Sequence, residues 1–365
     1  PHDGSDAASL AIDGYAALPG VVMMVAAGNE GQMKLHASGN GTSSIGFVPK
    51  GPEGQAAVTS TINIWYPAAA DFSVQLFKDS GSGLELTKGN TGLPANGVPG
   101  ATVDSLTNCI TEYTSPYGPP QCLIKVELSG LTPGDTGWAI KVTGSGEWHA
   151  WVADENSAEF VTPDYRVTLD EPAVARGAIT VGAWTTKREW TTAANDGYSA
   201  PNATVGSYAR FSSIGPTRDG RLKPEVSAPG EKINAALTRH QTTPAPTEIT
   251  SGALGQPNGR IVHQGTSMAS PHVAGVVALL LQKNPSLTTD QIKAALAGTA
   301  ATANTDTDVF TNVIHGALRF DGSQCVFDVA TEKTCKDVPP ETDMVVAADG
   351  PDNTGRPAWN NRWGY

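Results

Sequence analysis

Gly265-Thr266-Ser267-Met268-Ala269-Ser270-Pro271-His272-Val273-Ala274-Gly275 is the stretch on which the fold turns. It places a serine hydroxyl at the start of a helical run, among residues too small to block an approaching substrate. Val276-Val277-Ala278-Leu279-Leu280-Leu281 follow, apolar almost all round, which predicts a helix buried inside a domain. A helix start offers unpaired N–H groups and a partial positive charge, both suited to a nucleophile whose reaction develops an oxyanion. Pro271 fits there, because the amides of a first helical turn have no intrahelical partner to lose.

Towards the amino terminus, Val21-Val22-Met23-Met24-Val25-Ala26-Ala27 is an unbroken apolar run, as in a parallel-sheet strand covered on both faces. It ends in Gly28-Asn29-Glu30-Gly31, a turn at the carboxyl end of that strand, where open α/β sheets put their ligands. Between the two stretches, Glu171-Pro172-Ala173-Val174-Ala175-Arg176-Gly177-Ala178-Ile179-Thr180-Val181-Gly182-Ala183 reads as an approach loop and a strand. Arg210-Phe211-Ser212-Ser213-Ile214-Gly215-Pro216-Thr217-Arg218-Asp219-Gly220-Arg221-Leu222-Lys223-Pro224-Glu225-Val226-Ser227-Ala228-Pro229-Gly230 reads as loops around a short strand.

In this order, the four segments resemble the subtilisin-like serine proteases, or subtilases. The resemblance implies an α/β fold with a three-layer parallel-sheet core and a peptide-cleaving serine endopeptidase. It makes Ser267 the nucleophile and Asn29 an oxyanion donor beside the Ser267 N–H. Ala26, Ala27 and Gly28 become one uncharged wall of the P1 pocket, which favours an apolar P1 residue, with Gly265 and Thr266 beside the substrate. The family mechanism also needs a histidine base and an orienting aspartate, which in subtilases lie upstream of the asparagine.

Only 28 residues precede Asn29, and they read as a loop, Pro1 to Gly4, and a helix over about Ser5 to Leu18. No His-Gly-Thr-His segment occurs, and the single Asp135-Thr136-Gly137 lies downstream in what reads as a turn. The chain also stops at Asn361-Arg362-Trp363-Gly364-Tyr365 without the family's closing Gly-Tyr-Gly segment. The expectation is therefore a catalytic core incomplete at both ends, carrying the nucleophile half of the site and inactive alone. His272 reads as structural, and His263, four residues before Ser267, matches no family role. His36 reads as a surface or capping residue, and His2, His149, His240 and His315 show no partner pattern.

The match is discontinuous. Residues 1–31 and 171–365 read as the core, and 32–170 as an inserted all-β domain. Ile62–Tyr66, Phe72–Phe77, Cys122–Leu128, Trp138–Val142 and Glu147–Val152 alternate apolar with polar residues and are separated by turn-forming clusters, favouring a sandwich or jelly roll. Its role reads as bracing, with a binding module as the alternative; Trp65, Tyr66, Trp148 and Trp151 are the candidates for a sugar platform. Past the nucleophile helix, Thr288 and Gln291 have capping-box spacing, starting a helix that runs through Ile292, Ala295 and Leu296 to Gly298. Residues 299–360 read as surface loops with a short hairpin.

A net charge of −12, with 16% charged residues, argues against a nucleic-acid partner. No apolar run approaches the ~20 residues that span a bilayer. Cys109 and Cys122 lie 13 apart and Cys325 and Cys335 10 apart, which suggests two local disulfides and an oxidising, extracellular or periplasmic compartment. Free thiols remain the alternative. No cofactor is required; the resemblance allows structural calcium, but Asp306, Asp308, Glu341, Asp343, Asp349 and Asp352 show no calcium-loop spacing. The expected partners are a polypeptide substrate and, by resemblance, the protein's own propeptide. The rival to an enzyme is a non-catalytic pseudoprotease or binding protein that uses the insert.

Overall fold

The computed structural model describes residues 1–79, 85–92, 98–200, 205–206, 208–238, 248–251 and 259–300, and the backbone of 318–320, 325–327 and 346–347. The chain divides into two compact units, one comprising Met33–Arg166 and the other His2–Gln32 with the described residues from Val167 onward.

The second unit is built on three parallel strands in the order Met23–Ala26, Ala178–Thr185, Val226–Glu231, with Met23 opposite Ala178 and Val181 opposite Val226. The central strand, Ala-Ile-Thr-Val-Gly-Ala-Trp-Thr, is buried at seven of its eight positions, as a strand flanked on both sides should be. Among the described residues three helices accompany the sheet: α1 (Ala7–Ala16), α2 (Thr266–Lys283) and α3 (Thr289–Thr299). Asp6 caps α1 through the Ser9 N–H, and Thr288 and Gln291 form the expected capping box on α3. Ile179, Val181, Ala183, Val226 and Ala228 pack under Ala269, Val273 and Val277 of α2 and Ile292 of α3. The four-residue spacing of the α2 contacts is one helical stripe.

Two expectations change here. The first strand is covered less than its apolar run predicts: all four residues are half-buried, because it is the edge of this sheet among the described residues. Likewise α2 is buried along one stripe only, with Val276 47% and Leu279 67% exposed, because the sheet and α3 reach a single face of it.

At the amino end of the central strand, Lys223 is held in the interior by Ala178 O (3.2 Å), Thr180 Oγ1 (2.8 Å) and Glu225 Oε1 (2.9 Å). Lys293 of α3 meets the same Glu225 oxygen at 3.0 Å. Burial pushes the Lys223 amine down to about 8 against the pull of Glu225. For Glu225, burial works against ionisation, but Lys223 and Lys293 together hold its carboxyl below the ordinary range.

The first unit consists of two antiparallel sheets. One orders its main strands His36–Asn40, Glu147–Val152, Val58–Pro67, Gly118–Leu131, Thr102–Asn108, Asn90–Thr91; the other orders Ala158–Phe160, Ser43–Pro49, Trp138–Thr143, Ser73–Lys78, Glu85–Leu86. Inward side chains of both, among them Phe47, Ile62, Tyr66, Leu76, Ile124, Trp138 and Phe160, share one apolar cluster. Each strand expected from alternation in this stretch falls within an observed strand, to within a residue. Asp135-Thr136-Gly137 forms a turn, with the Asp135 N–H on Thr132 O and its carboxylate on Lys78 at 2.9 Å.

The sugar platform is corrected: Trp65, Tyr66, Trp148 and Trp151 are at most 6% exposed. Tyr113 packs edge-on over Trp65, Trp148 lies against Gly39, and Trp151 stacks on His149 and meets His36 at a tilt. His36 is likewise corrected from surface to interior. Its Nδ1 lies 2.9 Å from the Asp164 carbonyl, which can only accept, so Nδ1 carries the proton and Nε2 accepts from His149 Nδ1 at 2.9 Å. Burial pushes the His36 imidazole down to about 3 although Asp164 pulls the other way. The Asp164 carboxylate accepts from Arg166 Nε (3.0 Å), Arg166 Nη2 (2.9 Å) and Ser38 Oγ (2.7 Å).

Cys109 and Cys122 form a disulfide. Cys335 and the Cys325 side chain lie outside the described residues, as do the six candidate calcium carboxylates, His240 and His315. Three short strands, Leu318–Phe320, Cys325–Phe327 and Val346–Ala347, are described in the stretch read as loops with a hairpin. Among the described residues one group has metal-ligand spacing, Cys109, Glu112 and Cys122, but its two sulfurs are joined to each other and offer no thiolate. No described helix is long and apolar enough to cross a membrane.

Candidate active site

Parallel strands bring their carboxyl ends to one edge of the sheet, and the two halves of the expected site meet there. The Met23–Ala26 strand ends in the Asn29 turn, and the segment after Val226–Glu231 returns to that edge at Gly265, whose N–H donates to Gly230 O at 2.9 Å. Gly265 is the N-cap of α2 at φ 147°, a conformation open to glycine and strained for other residues. That sharp entry makes Ser267 the second residue of the helix and leaves it exposed.

Asn29 is tied to this corner. Its Oδ1 accepts from the Thr266 N–H at 3.0 Å and lies 3.3 Å from Thr266 Oγ1. With the carbonyl end of the amide occupied, its two Nδ2 hydrogens remain as donors one residue from the serine. Among the described residues the Ser267 N–H has no protein acceptor, as a first-turn amide should not. The other side of the turn is gripped by the Arg210–Ile214 loop. Ser213 N–H donates to Gly28 O (3.0 Å), the Glu30 N–H donates to Ser213 Oγ (3.0 Å), and the Gly31 N–H donates to Phe211 O (2.9 Å). Ser212 Oγ accepts the Ala183 N–H at 3.0 Å and donates to Tyr208 Oη at 2.8 Å, fastening the same loop to the central strand. Thus the loop segment quoted from the sequence serves to brace the asparagine turn. Gly28, at φ 107°, is hemmed in: an added Cβ would come within 2.4 Å of Glu30 Oε2 and 2.7 Å of Ser213 Oγ.

Some expected substrate contacts are revised. Ala27 is fully enclosed by Leu169, Ala173 and Val174, and its N–H and C=O are taken by Val181 O and the Asp170 N–H, so it has no surface to offer. Thr266 is also fully buried; its hydroxyl accepts from the Gly28 N–H at 3.1 Å, so it positions the two loops. Gly28 and Gly265 are buried too, and Ala26 stays half-exposed at the edge. His272 donates from Nδ1 to the Met268 carbonyl at 2.8 Å, one turn back on its own helix, and is exposed where packing was the expectation. His263, half-buried, stands opposite Ile233. Among the described residues no histidine is hydrogen-bonded to Ser267. Sequence reading missed Tyr208 and Ser212, whose roles depend on contacts absent from any local pattern.

A family model described as Subtilase family matches residues 152–365. The minor extracellular protease Vpr of Bacillus subtilis (strain 168) is 40% identical over 111 residues, 30% of this chain and 12% of that one. Serine protease AprX of the same organism is 36% identical over 149 residues, 41% of this chain and 30% of that one. The chain thus spans less than a third of either relative. The solved structure of the Clostridium perfringens CspB protease shares the fold with a TM-score of 0.60 at 24% identity, over 84% of this chain and 59% of that one. With more than half of its length matched by the family model, and the serine and asparagine segments tied into one corner, the chain belongs to the subtilase family of serine peptidases.

Proposed function

We propose that this chain supplies the nucleophile and oxyanion side of a serine endopeptidase site that cleaves polypeptides by acyl transfer. The observation that carries the reading is the 3.0 Å bond from the Thr266 N–H to Asn29 Oδ1, which presents a carboxamide beside the exposed Ser267. In the reaction, Ser267 Oγ bonds to the peptide carbonyl carbon and the carbonyl electron pair moves onto oxygen. That oxygen accepts from Asn29 Nδ2 and the Ser267 N–H. The hydroxyl proton goes to a histidine held by an aspartate and then to the leaving amine, and water later releases the acyl group. Among the described residues no histidine is bonded to Ser267, and the resemblance to subtilases puts the base and its aspartate on a segment that precedes the asparagine turn in family order.

Ala26, at the half-exposed end of the first strand, supports an uncharged P1 wall and a preference for apolar P1 residues. The Met33–Arg166 unit, with two sheets around one core, supports an inserted sandwich with a bracing role. Its disulfide, and a relative named as extracellular, support secretion. No cofactor enters the chemistry.

Expressed alone, residues 1–365 should neither clear casein nor react rapidly with a fluorophosphonate probe, because an unassisted serine hydroxyl is a poor nucleophile. Adding in trans a subtilase segment that bears the aspartate and histidine should produce labelling at Ser267, abolished in S267A. Rapid labelling of the chain alone would sink the claim that its base lies elsewhere. Labelling that survives S267A would sink the nucleophile assignment.

A further inference from the structure

The central strand Ala178–Thr185 runs directly into a two-stranded hairpin, Glu189–Thr191 with Gly197–Ser199, at the carboxyl edge that holds Asn29 and Gly265. Trp190 and Tyr198 are direct cross-strand partners on it, stacked with ring centroids 6.1 Å apart; Trp190 is half-buried and Tyr198 is 38% exposed. A stacked pair on a short hairpin has an ordinary explanation, which is mutual stabilisation. The surroundings show more than that. Lys232 places its Nζ 5.6 Å from the Trp190 ring centroid and donates through the same atom to Gln264 Oε1. Gln264 is three residues before Ser267. Lys232 is held with φ at 57°, a backbone region rarely adopted by a lysine, directly after a residue that Thr185 and Thr186 both bond, Glu231. The far end of the hairpin is fixed as well, by the Ala193 N–H on Ile249 O at 2.8 Å; Ile249 pairs with Ile261 on the strand that feeds Gln264.

Thus an aromatic face is anchored at both ends and linked by one lysine to the peptide entering the nucleophile. In the peptide leading to Ser267 the Gly265 N–H is taken by Gly230 O, two residues before Lys232, whereas the next N–H, of Thr266, is taken by Asn29. We infer that the Trp190–Tyr198 face is a specificity surface that receives an aromatic or aliphatic side chain of the polypeptide substrate on the leaving-group side of the scissile bond. This deepens the serine-peptidase reading and rests on it for the words "leaving group", since the acyl side is assigned there to the Ala26 end. Lys232 is a positioning residue in this proposal, setting the tilt of the indole and tying it to Gln264.

The test is binding by the chain as it stands, with no turnover needed. Fluorescein-labelled peptides of one length, differing at a single position as Phe, Leu, Gly or Asp, are titrated by anisotropy against wild type, W190A, W190F, Y198A and K232M. Aromatic contacts of this kind are expected to favour Phe over Gly by about threefold to tenfold. W190A and Y198A should erase that preference, W190F should keep it, and K232M should reduce it while far-UV circular dichroism stays unchanged. Equal affinity across the peptides, no measurable binding of any of them by wild type, or a preference that survives W190A, overturns the proposal. Labelling of Ser267 in the complemented chain reports the peptidase reading separately. Labelling with no aromatic preference removes the hairpin's role and leaves the chemistry standing. An aromatic preference with no labelling does the reverse, and product sequencing in the complemented chain reads the side of the bond.

Discussion

Thr266 is the residue on which the geometry of the site is balanced. Its N–H holds Asn29, and its single buried hydroxyl accepts from the Gly28 N–H. T266V keeps the shape and the first bond but orphans the second donor, which should cost about 1–3 kcal/mol in urea unfolding. Its effect on Ser267 labelling in the complemented chain should be smaller than that of N29A, for which the value known from subtilisin, about 10²–10³ in turnover, is carried over. Equal losses from the two substitutions would show that the hydroxyl, and not the backbone bond, orients the amide. At this scale the placement of Ser267 at a helix start and of Asn29 in the turn after a strand was legible, because each sits in a long segment with family spacing. Ala27 and Thr266 were misread because spacing cannot tell an inward methyl or hydroxyl from one facing a cleft. The His36–His149 bond was invisible, since it exists only once strands more than a hundred residues apart are paired.

Among the elements, α3 shows what local sequence can fix by itself. The Thr288 hydroxyl accepts from the Gln291 N–H at 3.3 Å, and the Gln291 side chain accepts from the Thr288 N–H at 2.9 Å. T288A should lower stability by about 0.5–2 kcal/mol, read as a shift of the urea midpoint with unchanged slope. A change below the error of the midpoint would mean that Ile292, the fully buried anchor of α3, carries the helix without its cap. Strands were found from alternation for the same reason, because period two is local. Which face of an element is covered was not. The run after Ser267 is apolar all round, yet Val276 and Leu279 lie exposed, and the four aromatic side chains named as candidates for a sugar platform are all enclosed. Coverage depends on what packs against an element, and that partner is written elsewhere in the chain.

For the molecule as a whole, the chain divides into two compact units at Met33 and Arg166, and the stretch read as an insert runs from 32 to 170. The electrostatics of the Met33–Arg166 unit were not legible in the sequence. His36 titrates near 6.5 when unfolded and at about 3 when folded, so between those values the unfolded chain binds more protons. Stability should therefore fall as pH drops below 6.5, with a slope approaching about 1.4 kcal/mol per pH unit, until the folded imidazole itself titrates. Asp164, held below the ordinary carboxylate range by His36 and Arg166 although burial opposes it, adds a loss of the same sign at lower pH. Urea midpoints of the full chain at pH 7.5, 5.5 and 4.5 measure this; burial also pushes His2 down to about 3, so H36N should remove only the His36 share of the slope, and parallel curves for the two proteins would refute it. The same cluster joins the beginning and end of the unit. The Asp164 N–H donates to His36 O at 2.8 Å and the Phe160 N–H to Lys34 O at 2.8 Å. A segment whose two ends are stitched together behaves as a cassette: it can lengthen, shorten or be exchanged while the backbone on either side sees only a narrow gap, and the entropy of closing that gap does not grow with the cassette's contents.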